Sequence, residues 1–315
     1  MTEQGTVPPG EEFRAGYVAL VGRPNAGKST LLNALLGQKL SIVSSKPQTT
    51  RHRIVGILSK PGFQAVFLDT PGMIDPKYLL QNFMMKSVHS ALRDADLVVQ
   101  LIDASEEPPA RKPSAQKESG EDALAARITA PVILVMNKAD IAPEQRMRAI
   151  AQRAASGPHP PVKILEISAL RQTGLDALKR EIVARLPVHP PYYPDDSMSD
   201  RNERFFVAEI IREKVFECYR EEIPYSTSVR ILAFEEKKGR KDRIEAEICV
   251  ERESQKGILI GVKGAALKKA GELARKDIEQ FLDRPVFLEL RVKVREKWRD
   301  DQVWLKRLGY SETND

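Results

Sequence analysis

Short apolar runs alternate with helix-length amphipathic segments from Tyr17 to about Leu186. The runs are YVALVG, QAVFLD, DLVVQLIDA, PVILVMNKAD and VKILEISA. Because their apolar character is continuous rather than alternating, they are typical of strands buried on both faces of a parallel sheet. Each run ends in a polar or glycine-rich stretch, and ligands of such sheets bind beyond the carboxyl ends of the strands. The pattern predicts an α/β domain over residues 14–187, with a mostly parallel sheet.

The pattern changes after the proline-rich and acidic stretch PVHPPYYPDDSMSD, which predicts a linker over residues 188–200. A long helical segment, two strands, two helices joined by a loop and a final strand follow it. This order predicts a separate α+β domain over residues 201–311. Within the first domain, residues 105–122 are poor in apolar side chains, and we expect them to form a surface excursion.

Composition adds limits to this picture. A chain of 315 residues is long enough for two domains, and its formal net charge of +6 makes nucleic acid or an anionic membrane surface a candidate partner. Cys218 and Cys249 are too far apart to indicate a metal-ligand pair, so we expect two thiols in a reducing compartment. No secretory signal is evident, and no apolar stretch approaches the ~20 residues of a spanning helix. We expect a soluble, cytoplasmic protein.

The stretch GRPNAGKS follows the first predicted strand and opens a helix, which fits the phosphate-binding pattern G-x-x-x-x-G-K-[ST]. Its glycines let backbone N–H groups turn toward phosphates, and the helix N-terminus attracts anions. We expect Lys28 to reach the β- and γ-phosphates and the Ser29 hydroxyl to help hold magnesium. The predicted nucleotide contacts of this loop are Gly22, Arg23, Pro24, Asn25, Ala26, Gly27, Lys28, Ser29 and Thr30.

NKAD, at the end of the strand PVILVM, favours GTP over ATP. An aspartate can accept both the N1–H and the exocyclic amine of guanine, and adenine lacks this donor pair. Asp140 is therefore the predicted guanine reader, and Asn137 and Lys138 are expected to brace the ring and the loop. Ser168, Ala169 and Leu170 end the next strand and are predicted to support the base from its other side.

The predicted strand QAVFLD ends in the aspartate of the motif DTPG. We expect Asp69 to hold magnesium through water and the Gly72 N–H to meet the γ-phosphate, with Thr70 and Pro71 beside the nucleotide. The polar stretch KPQTTRHR is predicted to be a mobile loop that places Thr49 or Thr50, with Thr50 preferred, on magnesium when the γ-phosphate is present. The predicted metal set is Ser29, Thr50 and Asp69, and the predicted catalytic set is Lys28, Thr50 and Gly72.

Met73 follows Gly72, near where Ras-like enzymes carry a glutamine that orients the attacking water. A thioether cannot orient water in this way. We therefore expect catalysis to depend on positioning and charge, and we expect slow intrinsic turnover.

Two features of the second domain suggest nucleic-acid binding. The turn IGVKGA lies between two helices and can admit a nucleic-acid backbone, although glycine turns between helices are also common. In VFLELRVKVR, apolar residues alternate with charged ones, so one strand face should be basic, with a tryptophan just beyond for base stacking. Alternatively, this face is merely solvated and the tryptophan caps the core. The predicted RNA contacts are Gly261, Val262, Lys263, Gly264, Lys268, Arg291, Lys293, Arg295 and Trp298.

The motifs GRPNAGKST, SKPQTTRHRI, LDTPG, NKAD and SAL, in this order, resemble those of the translation-factor-related branch of small GTPases. The second domain carries EIIREK, EIPYS, ERESQKGILIG and LGY, and its order of elements resembles a type II K-homology (KH) RNA-binding domain. Together, about residues 14–310 resemble the Era family of bacterial GTPases. The resemblance implies a P-loop GTPase domain with a mostly parallel sheet, followed by an α+β type II KH domain.

The resemblance also implies GTP hydrolysis with GTP/GDP and Mg²⁺ and binding of small-subunit ribosomal RNA near its 3′ end. It further implies a role as a switch in 30S subunit assembly and, in some members, peripheral association with the inner membrane. We expect a monomer. One departure is Met-Ile-Asp-Pro at residues 73–76, where the family often has a His-Lys-Pro stretch. Asn25 is a candidate K⁺ ligand, as in GTPases that share this asparagine and a hydrophobic residue after DxxG.

Two other functions fit the same motifs. The chain could be principally an RNA-binding protein whose nucleotide site is structural, with negligible turnover. It could also be a GTPase that signals at a membrane or in cell-cycle control, for which RNA binding is incidental.

Overall fold

The structure is a computed structural model that describes residues 12–310, apart from 107–127, 158 and 238. The predicted surface excursion at residues 105–122 lies almost wholly outside these described residues. By contacts the chain forms two compact units. The first comprises Met1–Ser41, Thr50–Asp75 and Met84–Asp200, and the second comprises Ile42–Thr49, Pro76–Phe83 and Arg201–Asp315.

The first unit is built on a six-stranded sheet in the order β2-β3-β1-β4-β5-β6. All neighbouring strands run parallel except β2, which is antiparallel to β3. The strands are β1 (Arg14–Gly22), β2 (Ile54–Lys60), β3 (Phe63–Asp69), β4 (Leu97–Asp103), β5 (Val132–Asn137) and β6 (Lys163–Glu166). The helices that connect them are α1 (Lys28–Leu36), α2 (Leu79–Asp94), α3 (Glu144–Ala155) and α4 (Leu175–Val183). The predicted mostly parallel α/β architecture is confirmed.

The central strands are buried on both faces, as their continuous apolar runs predict. Val18, Ala19 and Leu20 of β1 are consecutive and all fully buried, so neither face of this strand meets water. The parallel strands of such a sheet all end at the same edge. Because β1, β3, β4 and β5 are parallel neighbours, Gly22, Asp69, Asp103 and Asn137 end together at one edge.

The segment at residues 188–200 lies along the sheet of the first unit. The buried Gln64 side chain on β3 accepts hydrogen bonds from the N–H groups of Tyr192 (2.8 Å) and Tyr193 (3.0 Å). Its amide nitrogen donates to the Tyr193 carbonyl at 2.8 Å. Further along, the Ser199 hydroxyl donates to the Val55 carbonyl at 2.5 Å. The predicted linker is therefore attached to the sheet through several hydrogen bonds.

The second unit is an α+β fold with a three-stranded sheet in the order β7-β8-β9, in which β7 and β8 are antiparallel and β8 and β9 parallel. The strands are β7 (Ser228–Glu235), β8 (Asp242–Val250) and β9 (Val286–Val294). The helices are α5 (Glu203–Cys218), α6 (Ile223–Ser226), α7 (Glu253–Ile260), α8 (Ala265–Leu282) and α9 (Gln302–Arg307). Core residues of α8 recur at helical spacing at Ala270, Ala274, Ile278 and Leu282. The expected KH order of elements is confirmed. Among the described residues, no helix combines the length and apolar composition needed to cross a bilayer.

Replacing Gln64 with Ala should destabilise the first unit. The substitution leaves two N–H groups and one carbonyl of residues 192–193 without their partner, at a cost of about 2–3 kcal/mol in the free energy of unfolding. Denaturant unfolding measures this loss, and limited proteolysis within residues 188–200 should accelerate. Gln38→Ala is the control, because the Gln38 amide is exposed and bonds to the weakly accepting Met198 sulfur. Equal losses in the two variants would contradict the anchoring role of Gln64.

Candidate functional site

The loop between β1 and α1 lies at the edge of the sheet where the parallel strands end. Gly27 immediately precedes α1 with φ of 95°, a left-handed conformation that side chains rarely adopt. A Cβ atom at this position would lie 2.2 Å from the Asn137 amide nitrogen. Only glycine therefore allows the loop to curl under the N-terminus of α1, which is the part of a helix that attracts anions.

Lys28, the first residue of α1, places a buried cation beneath this loop. Its Nζ donates to the carbonyl oxygens of Gly22 (3.1 Å) and Arg23 (3.0 Å), and its side chain is only 6% exposed. Burial lowers the pKa of Lys28 to about 8, although the nearby Asp69 carboxylate opposes this shift. A buried ammonium group held by neutral carbonyls is suited to receive an anion such as a phosphate.

Ser29, Thr50 and Asp69 meet in one cluster. The Ser29 hydroxyl donates to Asp69 Oδ2 at 2.8 Å and lies 2.8 Å from the Thr50 hydroxyl, while Ser41 donates to the same carboxylate oxygen at 2.9 Å. Thr49 instead donates to the Lys46 carbonyl at 2.7 Å. The structure thus brings Thr50, the preferred of the two threonines, to the predicted metal ligands.

The Asp69 carboxylate fits a hard divalent cation. It is fully buried, which raises its pKa, and its Oδ1 atom has no hydrogen-bond partner. A buried anionic oxygen without a donor needs a cation or water. No cluster of three or more His, Cys, Asp or Glu side chains suited to a metal occurs in the described part of the chain. The single carboxylate beside the Ser29 and Thr50 hydroxyls fits Mg²⁺, which is usually bound by one or two carboxylates together with waters and substrate phosphates.

The DTPG turn packs directly against the phosphate-binding loop. The Thr70 hydroxyl donates to the Leu20 carbonyl at 2.8 Å, and the Met73 N–H donates to the Gly22 carbonyl at 3.2 Å. A Cβ atom on Gly72 would come within 2.7 Å of the Pro24 Cα, so glycine permits this close approach. The Met73 side chain packs against a hydrophobic core cluster formed by residues of β1, β2, β3, β4 and α2. Met73 is therefore a packing residue.

The NKAD turn joins the phosphate-binding loop to the SAL stretch. The Asn137 side chain donates to the Ala26 carbonyl at 2.8 Å and accepts from the Ala169 N–H at 3.0 Å. Asp140 lies 3.9 Å from the exposed guanidinium of Arg171, and the Leu170 side chain is 75% exposed. Two stretches, NKAD and SAL, are predicted to contact the base, and NKAD contains Asp140, the predicted guanine reader. Both therefore lie at the same edge of the sheet as the predicted phosphate site.

Sequence reasoning missed Asp103, which lies at this edge as the last residue of β4. Its Oδ2 forms an ion pair with Lys138 Nζ, and its Oδ1 accepts the Ser105 N–H at 2.9 Å. Burial alone would raise the pKa of Asp103, but the hydrogen bonds from Lys138 and Ser105 outweigh it and lower the pKa. The signal was present in the sequence, because an aspartate is the penultimate residue of the run DLVVQLIDA, and the next run along the chain carries NKAD.

In the second unit, the turn Gly261–Gly264 joins α7 to α8 and faces solvent. Val262 at its tip is 84% exposed, Lys263 has a left-handed φ of 49°, and Lys268 is exposed in the first turns of α8. The turn therefore presents an apolar side chain beside two cations, with no bulky cover from the described residues of the unit.

The basic row of β9 lies on the other face of the sheet. Leu290 contacts α8 through Gly271, so the alternate residues Arg291 and Lys293 point away from that helix. Both cations lie near carboxylates. Arg291 pairs with Glu289 at 2.7 Å and Glu245 at 3.8 Å, and Lys293 lies 4.0 Å from Glu247.

Arg295, the last cation of this row, stacks on the Trp304 ring at 4.6 Å. The structure thus does not bring the basic row of β9 together with the Gly261–Gly264 turn.

Two family models match separate parts of the chain. One described as "50S ribosome-binding GTPase" matches residues 17–138, and one described as "KH domain" matches residues 222–299. GTPase Era of Geobacter metallireducens is 48% identical over 302 residues, which are 95% of this chain and 98% of that relative. The chain belongs to the Era family of GTPases.

Other members of the Era family are similar over nearly all of the chain. A chloroplastic GTPase ERA1 of Zea mays is 45% identical over 94% of this chain and 70% of its own length. A crystal structure of Aquifex aeolicus Era bound to GDP and AlF4⁻ has a TM-score of 0.87 at 38% identity and covers 95% of this chain and 100% of its own. A structure of Era with MgGDPNP and nucleotides 1506–1542 of 16S ribosomal RNA has the same score and identity, over 95% and 99% of the two chains.

Trp298 corrects one prediction for the RNA face of this Era family member. It was expected to form a platform for base stacking, but it is only 1% exposed, and its indole Nε1 donates to the Ser226 carbonyl at 2.8 Å. A ring buried on both faces cannot stack on a base. The platform prediction is wrong, and the alternative, a tryptophan that caps the core, describes this residue.

Trp298→Ala should lower the free energy of unfolding of this Era family protein by about 3–5 kcal/mol, because it leaves a large cavity and an unpaired carbonyl in the second unit. Denaturant unfolding measures the change. Phe287→Ala on β9 is the matched control, since that ring is 55% exposed and its loss should cost no more than about 1 kcal/mol. Similar losses for the two variants would show that Trp298 is not a core residue.

Proposed function

We propose that the chain is a GTP-hydrolysing RNA-binding switch that binds small-subunit ribosomal RNA near its 3′ end and acts in 30S subunit assembly and maturation. The observation that carries the proposal is the cluster of Ser29, Thr50 and Asp69 beside the buried ammonium of Lys28. Membership of the Era family supports it, and so does the relative solved with MgGDPNP and a 16S ribosomal RNA fragment.

In this proposal the nucleotide lies along the carboxyl edge of the first sheet. Lys28 binds the β- and γ-phosphates, Asp140 accepts the two guanine donors, and Asn137 ties the base loop to the phosphate loop. Ser29, Thr50 and Asp69 would hold Mg²⁺. When bound, Mg²⁺ would neutralise the negative charge that develops on the phosphate oxygens during transfer of the γ-phosphoryl group to water.

Hydrolysis in this site depends on positioning rather than on a side-chain base. Met73 offers no group that can orient water, so the proposed contributions are the charge of Lys28, the Gly72 N–H and the metal-site hydroxyls. Asn25, which has a left-handed φ of 64° in the phosphate loop, is the proposed K⁺ ligand. A bound K⁺ would add positive charge where some GTPases use an arginine.

The RNA contacts are proposed for the second unit. Val262, Lys263 and Lys268 lie at an exposed turn in which backbone and cations are accessible to a sugar–phosphate chain. It remains a prediction that RNA is also contacted by Arg291, Lys293 and Arg295. Their neighbouring carboxylates and the Trp304 ring reduce the charge that they can offer.

The switch is supported by contacts of the Ile42–Thr49 segment, which belongs to the second unit. Lys46 Nζ donates to the carbonyls of Phe216 and Tyr219 at the C-terminal end of α5, and the Val43 N–H donates to Glu213 at 2.9 Å. The next residue along the chain, Thr50, lies in the metal cluster. We propose that GTP and Mg²⁺ order this segment through Thr50 and favour RNA binding, and that hydrolysis ends this state.

We further propose a monomer in the cytoplasm. Peripheral association with the inner membrane, which the family resemblance implies for some members, is supported in this chain only by its net charge of +6.

The proposal is tested by single-turnover GTP hydrolysis with and without an RNA that carries the small-subunit 3′ end, in potassium and in sodium. We expect hydrolysis in both salts, faster turnover in potassium and acceleration by RNA. Lys263→Glu with Lys268→Glu should weaken RNA binding and reduce the slope of log affinity against log salt by roughly 0.7 per lost phosphate contact. Lys306→Glu on α9 is the matched charge reversal at an exposed position outside the turn.

Each rival function predicts a different result. Absent turnover, with and without RNA, would favour an RNA-binding protein with a structural nucleotide. Turnover without enrichment of ribosomal RNA after crosslinking in cells would favour a membrane or cell-cycle GTPase. Equal rates in potassium and sodium would remove the K⁺ role of Asn25.

Nucleotide binding should also take up a proton at alkaline pH. Because the pKa of Lys28 is about 8 before binding and a bound phosphate raises it, the lysine is mostly neutral at pH 8.5 and becomes protonated on binding GDP. We expect clearly more proton uptake at pH 8.5 than at pH 7, with affinity falling as pH rises above the pKa of the unoccupied site. Calorimetry in buffers of different ionisation enthalpy measures this.

Lys28→Arg is the control for this measurement, because a guanidinium stays protonated throughout this range. Any GDP binding that the variant retains should proceed without uptake. Equal uptake by the variant and the unmodified protein would assign the proton to another group.

A further inference from the structure

The lysine of the NKAD turn has a left-handed backbone. Lys138 has φ of 62°, a conformation that costs a residue with a side chain of the order of 1 kcal/mol unless its surroundings hold it. Its carbonyl accepts hydrogen bonds from the N–H groups of Ile141 and Ala142, both at 3.1 Å. This geometry turns the Lys138 side chain back toward the end of β4, where its ammonium meets Asp103.

Asp103 is itself fixed on both sides. It is paired with Asn137 in the register of β4 and β5, and its Oδ1 accepts the N–H and the hydroxyl of Ser105, at 2.9 Å and 2.5 Å. Only Oδ2 is turned to Lys138. The Asp103 side chain is 11% exposed and that of Lys138 is 33% exposed, so the pair is partly shielded from water and screened less than a surface pair.

The backbone of the turn is held by bonds that do not involve the Asp103 carboxylate. The Ala139 N–H donates to the Ile167 carbonyl at 3.0 Å, and the Ala104 N–H donates to the Asn137 carbonyl at 3.0 Å. The Asn137 side chain bridges Ala26 and Ala169. Removing the Asp103 charge should therefore leave the path of the chain intact and release only the side chain of Lys138.

We propose that Asp103 is a positioning residue for the guanine nucleotide. It acts through Lys138, whose side chain it holds as one wall of the base site, two residues before the reading carboxylate of Asp140. The inference rests on the proposed function, because it assumes that a guanine nucleotide occupies this edge. In this proposal Asp140 determines the base specificity, and the Asp103–Lys138 pair determines the rate of nucleotide release.

The test is the rate of GDP release from Asp103→Asn, which keeps the shape of the side chain and removes its charge. We expect release about tenfold faster than from the unmodified protein, since a charge-assisted hydrogen bond is lost. The preference for GDP over xanthosine diphosphate should be unchanged. Asp140→Asn should instead shift that preference toward xanthosine diphosphate, because an amide can donate to the C2 carbonyl of xanthine.

Lys138→Met alone and combined with Asp103→Asn completes a double-mutant cycle. If Asp103 acts through Lys138, the double variant should release GDP no faster than Lys138→Met alone. Asp96→Asn is the matched control, because Asp96 lies just before the other end of β4 and accepts the Tyr17 N–H at 2.8 Å. It should leave GDP release unchanged. Asp103→Glu keeps the charge and can still reach the Lys138 ammonium, so it should release GDP more slowly than Asp103→Asn. This variant tests the proposal even if Asp103→Asn folds poorly.

The proposal is overturned if Asp103→Asn releases GDP at the unmodified rate, or if its effect is fully additive with that of Lys138→Met. A changed base preference in Asp103→Asn would also overturn it. Failure of the unmodified protein to bind GDP at all would instead overturn the proposed function, so the two failures are distinguishable.

Discussion

The buried carboxylate of Asp69 is the constraint on which the first unit's site depends. It is completely removed from water, yet one of its oxygens has no hydrogen-bond donor. A buried charge in this state is stable only beside a compensating cation. Lys28 supplies part of this compensation, and the two hydroxyls of Ser29 and Thr50 leave a place for a hard metal ion. The parallel sheet contributes to the arrangement, because β1 leads into the loop before Lys28 and Ser29 at the same edge where β3 ends in Asp69.

Much of this edge could be predicted because its signals are local. Continuous apolar runs identified five of the six strands of the first sheet, all except β2, and the spacing from Gly22 to Ser29 identified the phosphate loop. The Asp103–Lys138 pair depends on which strands become neighbours in space. The pairing of β4 with β5 can be stated only once the topology is known. The packing role of Met73 could not be predicted from the sequence either. It depends on the core cluster that the side chain contacts and not on the preceding DTPG motif.

In the second unit, the alternation of apolar and charged residues correctly predicted a charged face on β9. It could not predict which side chains surround that face. Arg291 and Lys293 meet carboxylates contributed by β8, a strand about 45 residues earlier in the chain. Because cations flank Trp298 in the sequence, its ring was predicted to be exposed and to stack on a base. Its burial comes from α6 and its neighbours, and the indole bond to the Ser226 carbonyl connects segments that are 72 residues apart. Side-chain exposure is a property of the packed unit, so composition could not supply it.

The passage of the chain from one unit to the other between Thr49 and Thr50 has a thermodynamic consequence. Val43 and Lys46, which belong to the second unit, bond to α5 and to Tyr219 just after it, whereas Thr50 makes its contact with Ser29. A ligand that stabilises either set of contacts therefore acts on a shared piece of backbone. Coupling of this kind is reciprocal: whatever factor the nucleotide contributes to RNA affinity, RNA must contribute to nucleotide affinity. Under the proposed function, RNA would then be as much an effector of the nucleotide site as the nucleotide is of RNA binding.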